Sequence, residues 1–293
     1  MSKLQDYNCK YGQDLIDYGE LIKRSGVDFP RFHAEVTGIA AFAKARQKAT
    51  NGKFCYLPFC HTLEAEAMGG SITLGKDQNS TRAGSFTYQN LEQLQNLPKM
   101  DLTKGRIAEV LKACEILSAQ GDIAVLAVTG PFTVLNSLVD ISVVLKAWRK
   151  QPDVIAGIFD FIGNELLGFM HAATKRGITI FSYADPTGGL NILGPKLAEA
   201  VVQSFTLPFL QKLKHATGKD TLTHLCPKTS LTLTGLGLAD WKNIELKNSN
   251  TYEEACAEVI KVADFVGQMC IMDCTTALND NIIKALVLNE EES

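Results

Sequence analysis

Short apolar runs recur along this chain, each followed by a segment with helical period, and no low-complexity tract, internal repeat or long Pro/Gly linker breaks the series. The runs lie at 54–59, 71–74, 122–128, 178–183, 221–225 and 244–246, with a shorter one through 265–271. Most lack clean apolar/polar alternation, the pattern of strands covered on both faces. Between them, 104–119 places Ile107, Val110, Leu111, Cys114 and Leu117 on one stripe. The segment 152–175 opens with Pro152 at a first helical position and stops at Gly177, and 195–215 and 252–263 repeat the scheme. Strand and helix alternating over 293 residues without a boundary predict an α/β chain with one domain over 1–293. The expected form is a (β/α)8 TIM barrel with an N-terminal helical extension over 1–53. An open Rossmann sheet would carry Gly-x-Gly-x-x-Gly after its first strand, and no such turn is present.

Charge and cysteine usage narrow the function classes. Lys and Arg total 29 against 32 Asp and Glu, a net −3, so there is no basic field for nucleic acid. The first residues are charged and amide-rich where an export signal would be apolar, and runs such as 123–128 are too short to span a bilayer. A chain this long does not need disulfide stapling. The eight cysteines, at 9, 55, 60, 114, 226, 256, 270 and 274, therefore read as thiols of a cytoplasmic protein without a membrane partner, and the acidic end 290–293 as a solvated tail.

In a barrel, chemistry collects just after the C-terminal ends of strands. The unusual polar segments fall there: 60–66, 129–132, 184–189, 224–226 and 269–270. His224 and Cys226, two positions apart on a strand, point to the same face and can grip one ion. Cys270, near the end of the candidate at 265–271, would be a third ligand, and three protein ligands with one open position build a catalytic zinc site. The spacing equally allows two inert cysteines and a histidine that hydrogen-bonds locally. Cys274 reads as a ligand, a fourth ligand, or a small buried residue near the start of a helix opening at Thr275. Glu64 and Glu66 diverge on a helix, so one would orient a bound molecule and the other form a surface ion pair, with His61 a weaker metal or acid–base candidate. Asp185, before Pro186 and a glycine pair, is either a turn residue or a rim carboxylate. Gly130-Pro131-Phe132 would shape the pocket, and Gly235-Leu236-Gly237 would be a cradle for an anion.

Four of these segments in order resemble the uroporphyrinogen decarboxylase superfamily: Pro58-Phe59-Cys60 with Glu64-Ala65-Glu66-Ala67-Met68-Gly69, Gly130-Pro131-Phe132-Thr133, Ala184-Asp185-Pro186 with Pro195-Lys196, and the His-x-Cys strand end. Within it the chain is most similar to the cobalamin-dependent methyltransferases. That resemblance implies a Zn2+ held by His224, Cys226 and Cys270, the last placed by Thr276-Ala277-Leu278. It also implies methylcobalamin or another corrinoid as methyl donor on a partner corrinoid protein. The acceptor would be a small molecule, coenzyme M or another thiol, or tetrahydrofolate, with Asp185 and Glu64 orienting it. Pro227 departs from the glycine usual after the His-x-Cys cysteine and stiffens that loop. The arginine-bearing segment of true decarboxylases is missing, since Arg24, Arg31 and Arg46 form no such arrangement. Two rival readings remain: a metal-free decarboxylase-like lyase, indifferent to Cys226 and Cys270, and a non-catalytic corrinoid-handling partner with a closed zinc site through Cys274.

Overall fold

The computed structural model describes residues 4–8, 18–75, 81–247, 249–272, 276–278 and 280–289. Cys9, Cys274, the helix start at Thr275 and the acidic tail lie outside them.

Strands form at each predicted apolar run, and two more, at 82–83 and 282–288, form where none was predicted. The strands are β1 (Phe54–Leu57), β2 (Ile72–Thr73), β3 (Arg82–Ala83), β4 (Ile123–Thr129), β5 (Ile180–Ala184), β6 (Leu222–Leu225), β7 (Ala239–Glu245), β8 (Phe265–Val266) and β9 (Ile282–Leu288). β2 and β3 make a small antiparallel ribbon, and the others form one seven-stranded sheet in the order β1-β4-β5-β6-β8-β9-β7. The first five of that order are parallel, each return made through helix. β9 then runs antiparallel to β8, and β7 antiparallel to β9. Among the described residues, therefore, the strands show a mostly parallel α/β sheet, and no ladder joins β7 back to β1 as a closed eight-stranded barrel would require.

Both faces are nevertheless largely buried, which is why the runs are mostly apolar without alternation. The outer face carries Cys55, Leu57, Leu126, Val128, Phe181, Tyr183 and Leu225 into the main core. There the helix Pro152–Thr174 adds Phe159, Ile162, Leu166 and Phe169. That helix is long and apolar enough to cross a bilayer, and its buried stripe is what the core holds. Each such side chain contributes about 1.5–3 kcal/mol relative to exposure. The inner face carries Phe54, Tyr56, Val125, Ile180, Leu222 and Val266 into a second cluster with Tyr252, Ala255 and Cys256. These last three sit on the short helix Tyr252–Glu258, which packs on this face of the sheet. Glu253 ties that helix to the edge strand by accepting from the amides of Lys53 (2.8 Å) and Phe54 (3.2 Å).

Before β1 the described residues form the helices Tyr18–Ser25 and Val36–Thr50. Ile39, Phe42, Ala43 and Arg46 form the buried side of the second helix. The predicted helix at 195–215 is observed as a nearly continuous helical run from Leu190 to Thr217, kinked at Gly194 before Pro195 and widened over Val202–Thr206.

Candidate functional site

The parallel register sets the floor of the site. Val125, Ile180 and Leu222 stand side by side across β4, β5 and β6, and all are buried. Two residues further along, Ala127, Ser182 and His224 stand side by side. That second row lines a cavity of about 350 Å3. Its walls are the residues that follow the strand ends: Pro58, Phe59, Cys60 and His61 after β1, Ala184 and Pro186 at the end of β5, Cys226 and Pro227 after β6, and Cys270 after β8. These lining residues thus follow the carboxyl ends of the parallel strands.

His224 is buried, and its Nε2 lies 2.8 Å from the carbonyl oxygen of Met269. A carbonyl only accepts, so Nε2 carries the proton and Nδ1 carries the lone pair. Nδ1 is buried without a hydrogen-bond partner. Burial also pushes the imidazole pKa down to about 4, so the ring is neutral at pH 7. Cys226 caps the N-terminus of the helix Pro227–Gly235, and its carbonyl accepts from the amides of Thr229 and Ser230. Pro227 fits this turn because the first helical position needs no amide donor, and the helix dipole favours negative charge at Cys226.

The six described cysteines divide into two groups, none in a disulfide. Cys55, Cys114 and Cys256 are packed in the core. Burial raises all three thiol pKa values, those of Cys55 and Cys114 to about 12, which leaves them protonated. Cys60, Cys226 and Cys270 line the cavity instead. Among the described residues, no three His, Cys, Asp or Glu side chains stand close enough to hold an ion as they are. The donor types do fit a thiophilic cation: a neutral imidazole with an unused acceptor nitrogen and two thiols share one cavity.

The two carboxylates expected to orient the acceptor are not among the cavity-lining residues. Asp185 accepts from the Thr133 amide (2.8 Å), the Thr133 hydroxyl (2.7 Å) and the Phe132 amide (3.1 Å). It thereby clamps the helix Pro131–Leu138, and any side chain at Gly130 would collide with it. Glu64, fully buried, accepts from the Thr129 amide at 2.8 Å and so fastens the helix Leu63–Ala67 to the end of β4. Both carboxylates turn to backbone amides because those are the nearest donors able to offset their burial. Glu66 diverges from Glu64 as predicted, but its ion pair is with the buried Arg106 rather than on the surface. Gly235-Leu236-Gly237 is a helix stop with Gly237 at φ +71°, not an anion cradle. Sequence reasoning missed Arg46, which lines the cavity over the Tyr56 ring.

Burial raises the Glu64 pKa to about 7, above its unfolded value, so the fold favours the protonated form. Its stability contribution is full below about pH 4.5 and is lost as pH rises toward 7. His224 and His33 act in the opposite sense, losing stability as pH falls from 6.5 toward 4. Glu64→Gln removes only the first effect. The stability of the variant minus that of the wild type, from urea unfolding, is expected to rise by roughly 3 kcal/mol between pH 4.5 and 7. A pH-independent difference would contradict this assignment.

Residues 9–273 match the family model described as Uroporphyrinogen decarboxylase (URO-D). Among curated proteins, the chain is 26% identical over 231 residues to the methylcobamide:CoM methyltransferase MtbA of Methanosarcina mazei, covering 75% of this chain and 65% of that protein. It is 22% identical to the methylcobamide:CoM methyltransferase MtaA of Methanosarcina barkeri, over 78% of this chain and 67% of the relative. The chain thus spans about two thirds of the length of the relatives it matches. A solved methyltransferase from Methanosarcina mazei superposes with a TM-score of 0.64 at 24% identity, covering 74% of this chain and 64% of that one, a likeness of fold.

Proposed function

This chain belongs to the uroporphyrinogen decarboxylase (URO-D) family, and we propose that it moves a methyl group from a methylated corrinoid on a partner protein to a small thiol bound in the cavity. The observation that carries this reading is His224, with its unused acceptor nitrogen, on the same cavity as Cys226 and Cys270. Similarity to methylcobamide:CoM methyltransferases supports it.

The proposed ligands of a Zn2+ are His224, Cys226 and Cys270; the ion would keep the acceptor sulfur in its thiolate form at neutral pH. In this scheme the acceptor sulfur would take the methyl group, the C–S bond forming as the donor's Co–C bond breaks with its electron pair left on the corrinoid, and the thiol proton would go to solvent. The donor is a corrinoid carried by a separate protein, so it would present its methyl group at the mouth of the cavity. The Met269 carbonyl holds His224 in the tautomer that leaves Nδ1 available. Asp185 and Glu64 act as positioning residues in this scheme, each holding a loop or helix at the rim.

Zinc per chain, measured by plasma mass spectrometry, tests the ligand set. The expected result is close to one zinc in the wild type, lost in Cys226→Ala and Cys270→Ala and retained in Cys274→Ala. No zinc after metal-replete purification would overturn the thiol-activating site and bring the metal-free lyase reading forward. Loss in Cys274→Ala as well would favour the closed site of a non-catalytic partner.

A further inference from the structure

One thiol on the cavity wall stands outside the proposed ligand set. Cys60 follows β1, lines the cavity together with Cys226 and Cys270, and is half-buried. Its sulfur accepts from Nη2 of Arg106 at 3.6 Å and from the Thr62 hydroxyl at 3.3 Å. Arg106 is not among the cavity-lining residues and is only 7% exposed. Its Nε donates to Glu66, and its Nη2 also reaches the Thr62 hydroxyl at 3.2 Å. Nη1 of the same guanidinium is buried with no hydrogen-bond partner. The ion pair with Glu66 therefore leaves an unused donor on the group that already touches the Cys60 sulfur.

Reactive cysteines lie beside a cation and open to solvent, whereas inert ones lie in apolar cores. Cys55, Cys114 and Cys256 are of the second kind. A thiol is a weak acceptor and leaves a buried guanidinium poorly satisfied. An oxygen added to that sulfur is a strong acceptor, and the idle Nη1 is there to meet it. We propose that Cys60 is a site of oxidation by hydrogen peroxide and that Arg106 holds the sulfenic acid formed there. The sulfur attacks one peroxide oxygen, and the S–O bond forms as the O–O bond breaks. The leaving hydroxide takes the thiol proton and becomes water, so sulfur is oxidised and the peroxide reduced. The site rests on the methyl-transfer reading only for the statement that a metal occupies Cys226 and Cys270.

The test treats the full zinc-replete chain with stoichiometric hydrogen peroxide in the presence of dimedone, which traps sulfenic acid. Mass spectrometry then measures the adduct on each cysteine peptide, and zinc per chain is measured on the same sample. Cys60 is expected to carry at least about tenfold more adduct than Cys55, Cys114, Cys226, Cys256 or Cys270. Arg106→Lys keeps a charge for Glu66 but loses the fork, and should lower the Cys60 adduct by about tenfold, the range of one charge-assisted hydrogen bond. Thr62→Val removes the other donor to the sulfur at nearly constant volume and should lower the adduct severalfold. It decides the matter where circular dichroism shows that Arg106→Lys does not fold. Adduct on Cys60 no greater than on Cys55 or Cys114, or adduct chiefly on Cys226 and Cys270, would overturn the proposal. So would a Cys60 adduct unchanged in folded Arg106→Lys or, where that variant does not fold, in Thr62→Val. The zinc measurement separates the two readings. If Cys60 takes the label in a chain that holds no zinc, the oxidation site stands and the metal-dependent transfer falls. If zinc is bound and Cys60 is not preferred, the reverse holds.

Discussion

Cys226→Ser is expected to reduce methyl transfer to a thiol by at least about a hundredfold, with the fold intact. The substitution is nearly isosteric, and the side chain is at the helix N-cap, where serine is a favoured residue. Folding therefore has little reason to suffer. Thiolate is a far better ligand than an alcohol for a soft or borderline cation, so the proposed ion is lost and with it the means of deprotonating the acceptor. Because His224, Cys226 and Cys270 would act as a unit, the double variant Cys226→Ser/Cys270→Ser should be hardly worse than either single change. Steady-state transfer rates with a free methylcorrinoid donor, set beside circular dichroism, provide the check. A Cys226→Ser enzyme within threefold of the wild type would contradict the site.

The second large effect is on stability. Asp185→Ala should destabilise the chain by about 3–5 kcal/mol, because it leaves the amides of Phe132 and Thr133 and the Thr133 hydroxyl without their acceptor. It also opens a void against Gly130, which packs on the carboxylate. Asp185→Asn should cost less, about 1–2 kcal/mol, since its amide oxygen can still accept from Thr133 while its NH2 faces the Phe132 donor. Urea unfolding of the three proteins measures both values. A loss under 1 kcal/mol for Asp185→Ala would show that the clamp is not what holds the helix Pro131–Leu138 to the end of β5.

The parallel strands were legible because burial on both faces favours apolar residues without alternation, as in 54–57 and 123–128, with polar residues intruding mainly at Ser182, Thr223 and His224. The antiparallel end was not. β7 reads Ala-Asp-Trp-Lys-Asn-Ile-Glu, an edge strand whose polar residues resemble a loop, so the expectation caught only its last residues. β9 is an apolar run whose period does not separate strand from helix, and no strand was expected there. The antiparallel pairing of those two strands is what the barrel expectation lacked, whereas the helix expected over 252–263 is present as Tyr252–Glu258 on the inner face.

Of the site, His224, Cys226 and Cys270 were legible from strand ends and spacing, and all three line one cavity. The roles of Asp185 and Glu64 were not, because a rim carboxylate that faces a bound molecule and one that binds backbone amides have the same residue type at the same place. Arg46 did have a signal. It stands three residues after Ala43 and four after Phe42, in register with Ile39, so a cation occupies the apolar stripe of its helix. A charge on a buried stripe points to a partner inside the fold or a molecule bound there.

The most direct measurement of the central claim is a transfer assay with trideuteriomethyl cobalamin and 2-mercaptoethanesulfonate, 3-mercaptopropionate or tetrahydrofolate, with product identified by mass spectrometry. The account predicts a trideuteriomethyl thioether formed in step with loss of the cobalt–carbon absorbance in the wild type, and neither in Cys226→Ser. Label found only on tetrahydrofolate, or no transfer to any acceptor by zinc-replete protein, would contradict it.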